Sequence, residues 1–297
     1  MSRFIYADHA GTTALSQTAL AAMTPYFTDH YGNPSSLYRF GQEAKADLER
    51  ARADIAACIG AKPEEIFFTS GGTEADNWAL KGVVELMALK GKTTGHIITS
   101  AIEHHALLHT AQHLEKQGYA VTYLPVDELG RVSPADVEAA VRPDTVLISI
   151  MAANNEIGTI QPVAEIGAVA RKHKILFHTD AVQAVGHIPV DVEAWNADLL
   201  SLSAHKFQGP KGVGALYVRR PLRLPPLLHG GGQEKGRRSG TENVPGVIGM
   251  AAALKEAVAQ LEAEGARLSA LRDRLIDGLT KLPYTRLTGD PENRLPG

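Results

Sequence analysis

A single cysteine, Cys58, leaves no internal disulfide and no cysteine-based metal cluster within the chain. Long apolar runs are missing too: no stretch is long enough to span a bilayer. The opening "MSRFIYADHAGTT" lacks the basic region and apolar core of a signal peptide. Both absences predict a cytoplasmic protein with no membrane partner. No sign of charge dominates. The formal net charge is -3, which gives no bulk electrostatic reason for a nucleic-acid partner. Against that background the basic run "KGRRSG" (235–240) reads as a solvated or interface loop. Internal repeats and low-complexity segments are absent as well. What remains is 44% hydrophobic and 21% charged, an ordinary globular composition with ample length for a core.

The middle of the chain alternates strand and helix signals. Apolar runs at 65–70, 96–100, 120–126, 145–154, 175–181, 198–205 and 212–218 read as strands. Between them, 73–89 is helical, with Ala75, Ala79, Val83 and Met87 on one stripe and Trp78, Leu80 and Val84 beside it. A helix is expected around 104–117. Another opens at Ser133, where an N-cap serine, a first-turn proline and Asp136 follow one another. Residues 162–173 start with proline and end with cations. From about 244 to 282 the pattern is almost all helix. Alternation of this kind predicts an α/β fold, a largely parallel sheet covered on both faces. Ligands of such sheets sit at the carboxyl ends of the strands.

Polar residues gather at those ends. Gly71, Gly72 and Thr73 lie where a strand gives way to a helix, a place with free N–H groups and a dipole that favours an anion. A tight turn with a capping threonine fits the same residues. His178 and Asp180 alternate on one strand and share a face. Asp180 reads either as the partner of a buried cation or as a cap of the next segment. Asn154 and Asn155 end another strand. Ser203 and His205 precede Lys206 in "LSLSAHKFQGPKG", and a lysine closing an apolar strand needs a reason, since a buried ammonium is expensive. A lysine for an aldehyde, an acid for a pyridine nitrogen and donors for a phosphate together match pyridoxal 5'-phosphate better than other cofactors.

The motifs "YGNPSSLYRFG", "FTSGGTEADN", "EHHA", "NNEIGTIQP", "HTDAVQAVG", "SAHKFQGPKGVGALYVR" and "GGGQEKGRRSGTEN" occur in order along the chain. With them the chain resembles the NifS-like cysteine desulfurases, class V of the fold-type-I pyridoxal-phosphate enzymes. The resemblance implies a mostly parallel seven-stranded sheet between helices, in a large domain over 13–255. It implies a smaller α+β domain from 1–12 and 256–297, incomplete at its C-terminal side. Residue roles follow in the same way. Lys206 bonds the cofactor aldehyde and later moves the proton at the substrate α-carbon. Asp180 keeps the ring nitrogen protonated, and His104 stacks on the ring and assists proton transfer. Gln183 and Asn155 contact the ring hydroxyl and the substrate side. Gly72, Thr73, Ser203 and His205 bind the phosphate, and Thr241 reaches the phosphate of a neighbouring subunit, which implies a homodimer. L-Cysteine is the implied substrate. An iron–sulfur scaffold or a sulfur-carrier protein is the implied acceptor.

One element of the resemblance is missing. The family takes sulfur on a cysteine of a mobile loop, expected beyond residue 297 together with the arginine for the substrate carboxylate. Cys58, on an amphipathic helix, reads as a buried structural thiol. The 297 residues are therefore expected to bind the cofactor and to turn cysteine over poorly. Selenocysteine lyase, a cysteine or cystine β-lyase, and a non-catalytic cofactor-binding remnant are the alternatives. His105, His109 and His113 follow His104 at helical spacing; without a carboxylate or cysteine to complete a ligand set they read as an exposed stripe and no metal site.

Overall fold

The structure, a computed structural model, describes residues 5–297. The first four residues of the expected small-domain segment 1–12 lie outside that range. Seven strands form one sheet: β1 (Ile66–Thr69), β2 (His96–Ser100), β3 (Ala120–Leu124), β4 (Thr145–Ser149), β5 (Leu176–Asp180), β6 (Leu199–Ser203) and β7 (Gly214–Val218). The helices are α1 (Gln17–Met23), α2 (Pro25–Thr28), α3 (Arg39–Cys58), α4 (Gly72–Leu89), α5 (His105–Lys116), α6 (Pro134–Ala139), α7 (Val163–His173), the single turn α8 (Gln233–Gly236), α9 (Val244–Ala259) and α10 (Leu261–Leu279).

The strand order is β1-β7-β6-β5-β4-β2-β3. All neighbours from β6 to β3 are parallel, and only β7 runs antiparallel, between β1 and β6. The expected α/β sheet is therefore present. Successive strand residues face opposite sides, so Ile66 and Phe68 enter one core while Phe67 enters the other. Ile98, Ile148, Phe177 and Leu200 share the first core with Leu48 and Ile55 of α3. Ile97, Leu147, Leu199 and Leu216 share the second with Trp78, Leu80 and Val83 of α4 and Leu107 of α5. Helices on both faces follow from strands that are apolar on both faces.

Local signals set the element ends. Ser133 caps α6 by accepting from the Asp136 N–H at 3.3 Å, though the helix stops at Ala139. The strand expected over 145–154 ends at Ser149, although Ile150 N and Ala152 N still bond the His178 and Asp180 carbonyls; Asn154 then turns the chain, its Oδ1 accepting from the N–H groups of Glu156 and Ile157 at 2.9 and 3.0 Å. The helical run after 244 breaks at Gln260 into two helices inclined by 72°. Helix α9 packs on α1 and α3, whereas α10 has no buried residue. Beyond α10 the chain returns to the loop that follows Asn155, through Leu295 N to Gly158 O and Ile160 N to Asn293 O, each at 2.9 Å. Among the described residues no single helix is long and apolar enough to cross a membrane.

Candidate active site

Parallel strands bring their carboxyl ends to one edge, and the polar residues singled out above collect there. Asp180 ends β5 and is 5% exposed. Its Oδ1 accepts from the Val182 N–H at 2.9 Å. Burial pushes its pKa up; that N–H and the nearby His104 and Lys206 side chains pull the other way. Next along the sheet, β6 passes through Ser203 into a 3-10 turn, Ala204–Lys206. That turn holds Lys206 half-buried, and burial lowers its pKa against the pull of Asp180 and Asp8. The Lys206 ammonium donates to the carbonyls of Ala10 and Gly11, the latter at 2.9 Å. Gln183 Nε2 donates to the same Ala10 carbonyl at 3.0 Å. His205 faces Thr12, Nδ1 to Oγ1 at 3.0 Å.

The anion cradle lies beside them. Strand β1 ends at Thr69, and α4 starts at Gly72, so the N–H groups of its first turn have no intrahelical acceptor. Gly71 has φ 152°, a backbone state that side chains disfavour. A Cβ on Gly72 would come within 2.7 Å of Val182 Cγ2, so glycine lets the cradle approach the segment after Asp180. Ser203 Oγ faces Gly71 across this gap. Glu74, an acid beside an anion site, is neutralised: Arg238 grips it with Nε and Nη2 at 2.8 and 3.0 Å.

His104 caps α5, its Nδ1 accepting from the Ala106 N–H at 3.1 Å, so the neutral ring carries its proton on Nε2. The half-buried Asn155 stands on the turn made by Asn154. Thr241 is exposed on a loop anchored through Glu234 and Arg238 and joins none of these groups. His105, His109 and His113 are exposed along α5. Cys58 is half-buried rather than buried, at the end of α3. Burial raises its pKa, and its charged neighbours are Asp54 and Lys255, neither of them in the site.

Three features escaped the sequence reading. The segment 10–13 lies over Lys206, Gln183 and His205. Asp76 and Glu103 are buried carboxyls adjoining Asp180. Glu103 directly precedes His104 in "EHHA", and Asp76 sits beside the apolar stripe of α4; an acid in either place was the available signal.

The residues fit pyridoxal 5'-phosphate on structural grounds. A dry acid with one N–H donor needs a further cation or donor, an amine of lowered basicity stands near it, and an N-terminal helix turn beside both offers donors to a phosphate. Comparisons with known proteins agree in extent. The curated cysteine desulfurase IscS of Methanosarcina thermophila is 55% identical over 99% of this chain and 72% of its own length. The solved structure of a NifS-like protein superposes with a TM-score of 0.94 at 44% identity, covering 98% of this chain and 80% of that one. A structure described as SspA in complex with cysteine gives a TM-score of 0.88 at 41% identity, covering 98% and 81%. The profile of the aminotransferase class-V family matches residues 5–297. Since that match spans the sheet, the helices on both faces and every residue of the strand-end cluster, the chain belongs to the aminotransferase class-V family.

Proposed function

We propose that the chain is a pyridoxal 5'-phosphate-dependent cysteine desulfurase that takes sulfur from L-cysteine and leaves L-alanine. The observation that carries this reading is the half-buried Lys206 amine beside the buried Asp180 carboxyl, on adjacent strand ends next to a free helix N-terminus. When bound, the cofactor supplies an electron sink for the carbanion at the substrate α-carbon. The first-turn N–H groups at Gly72 and Thr73, with Ser203 and His205, would hold its phosphate. Asp180 would keep the ring nitrogen protonated, and His104 would cover the ring. Gln183 and Asn155 would border the ring hydroxyl and the substrate.

Lys206 has two tasks. Its Nζ would hold the cofactor through the aldehyde and would carry the proton from the substrate α-carbon. A lowered pKa suits both, because only the neutral amine is a nucleophile or a base. The sulfur leaves on attack by a thiolate. Cys58, with its raised pKa and distant neighbours, does not serve, so the thiolate comes from outside these 297 residues. An iron–sulfur scaffold or sulfur-carrier protein suits the final acceptor. Thr241, exposed on an anchored loop, suits a homodimer in which each subunit completes the other's phosphate site. The smaller unit, 1–12 with 256–297, would begin in the last turn of α9, ahead of the bend.

Borohydride reduction of the cofactor-loaded protein, followed by peptide mapping, tests the assignment. One modified peptide containing Lys206 is expected, and Lys206→Ala should abolish it. A trapped adduct on another lysine would overturn the role of Lys206. With L-cysteine and an added thiol, alanine is the expected product; pyruvate and ammonia would reassign the chain to the β-lyases.

A further inference from the structure

Behind Asp180, on the sheet face that α4 covers, lies a polar layer that the reaction above leaves unused. Asp76, in the second turn of α4, is 1% exposed. Its Oδ1 has no hydrogen-bond partner among the described residues. The basic group in ion-pair range is His178, with Nε2 at 3.7 Å. That ring is fully buried between two hydroxyls, Ser149 Oγ at 2.8 Å from Nδ1 and Ser201 Oγ at 3.0 Å from Nε2. Ser201 stands opposite Asp180 in the register of β5 and β6, and His178 Nε2 is near both its hydroxyl and Asp76 Oδ1. Glu103 enters from the connection between β2 and α5, 5% exposed. Its Oε1 accepts from Ser100 Oγ at 2.6 Å and from Met151 N at 3.0 Å, while Oε2 has no partner among the described residues.

Three carboxyl groups thus meet in one dry layer. The basic side chains that act on it, His104 and Lys206, act on Asp180. The charges that act on Asp76 are Asp180 and Glu103, both acidic. Burial alone accounts for the neutral state of His178, so no charged imidazolium offsets an Asp76 anion. Neighbouring buried carboxyls in this setting do not both ionise; one keeps a proton, and the pair titrates as a unit.

We propose that Asp76 shares one proton with Asp180, so that the pair carries a single negative charge, and that Asp76 is thereby the positioning residue that sets this charge for the ring nitrogen. The second half rests on the cofactor reading; the shared proton does not. Ser201, His178 and Ser149 extend the network under the sheet and give the proton on Asp76 a polar neighbour. Glu103, protonated beside Met151, keeps the layer from gaining a further charge.

Carbon-13 labelling of the aspartate carboxyls, followed by NMR titration of the cofactor-free protein, tests the first half. In the wild-type protein the pair should titrate in two steps at least about two pH units apart, the upper above pH 7, as coupled dyads do. Asp76→Asn and Asp180→Asn should each remove the upper step. Full ionisation of both wild-type carboxyls by pH 6 would overturn the proposal, and this outcome needs no variant to fold. The second half is read from the absorbance of the bound cofactor against pH. Asp76→Asn should move its midpoint by about one unit or more; an unmoved midpoint in a loaded variant would overturn it. Failure of any variant, and of the wild-type protein, to bind the cofactor would sink the cofactor reading and with it the second half, while the carboxyl titration still decides the first.

Discussion

Arg52 and Glu234, 182 residues apart, meet as a bidentate pair with N–O distances of 2.8 and 2.7 Å, both side chains buried. The pair does not stand alone. Arg52 Nη1 also donates to the Ile66 carbonyl at 2.7 Å, and Glu234 Oε2 accepts from the Phe68 N–H at 2.9 Å. Glu234 and Lys235 hold left-handed φ values of 47° and 59°, conformations that persist when the surroundings impose them. The loop that carries Thr241 is therefore pinned to β1, beside the anion cradle.

Removing one member of a buried pair strands the other charge, at a cost of about 3–5 kcal/mol. Glu234→Ala should lose that much unfolding free energy in urea. The double variant Arg52→Met, Glu234→Leu should recover at least half of it, because no lone charge remains. A single variant within 1 kcal/mol of the parent, on the order of a surface pair, would show that the pair contributes little.

Asp180→Asn keeps the shape of the side chain and removes its charge. With the ring nitrogen unsupported, turnover of L-cysteine at saturating cofactor should fall by roughly 100-fold or more, the size of effect expected for losing a proton-holding group. Steady-state alanine production measures it. Cofactor affinity should weaken as well, read from an equilibrium absorbance titration.

Glu103 should make the cofactor-free protein less stable as the pH rises. Burial raises its pKa from 4.5 to about 8, outweighing the hydrogen bonds from Ser100 and Met151. Between those values the folded state holds a proton that the unfolded chain has released, so stability present below pH 4.5 is lost on the way to about pH 8. His178, lowered to about 3 by burial, acts in the opposite sense, losing stability as pH falls from 6.5. The difference between the wild-type protein and Glu103→Gln isolates the first effect. It should change by roughly 5 kcal/mol, at about 1.36 kcal/mol per pH unit, in urea unfolding curves taken from pH 4 to 9. A flat difference would show that Glu103 binds its proton in the folded protein no more tightly than in the unfolded chain.

Strands were legible because their apolar runs are continuous, and α6 because Ser133, Pro134 and Asp136 mark its start. The alternation of His178 with Asp180, and of Ser203 with His205, gave faces without any knowledge of neighbours. Other features have no local signature. The antiparallel pairing of β7 with β1 joins segments far apart in sequence, Ile66 with Tyr217. Contacts of Lys206 with Ala10 and Gly11 reach further still, across 196 and 195 residues. Asp76 sits next to the apolar stripe of α4, and reading helices by their apolar residues passes over an acid that only the opposing strand residues Ser201 and His178 make meaningful.

Cys58 is the remaining nucleophile to place. It packs at the end of α3 against the core, and burial, with Asp54 beside it, raises its pKa over the smaller opposing pull of Lys255. A thiol of that kind is mostly protonated at neutral pH and reacts slowly. Cys58→Ser should therefore leave cofactor binding and thiol-assisted alanine production within about twofold of the parent, the spread of a surface-like change. Without an added thiol both proteins should release little sulfide; with dithiothreitol both should release more, to the same extent. Loss of activity in Cys58→Ser alone, with an unchanged cofactor spectrum, would make Cys58 the sulfur acceptor and require α3 to move toward Lys206.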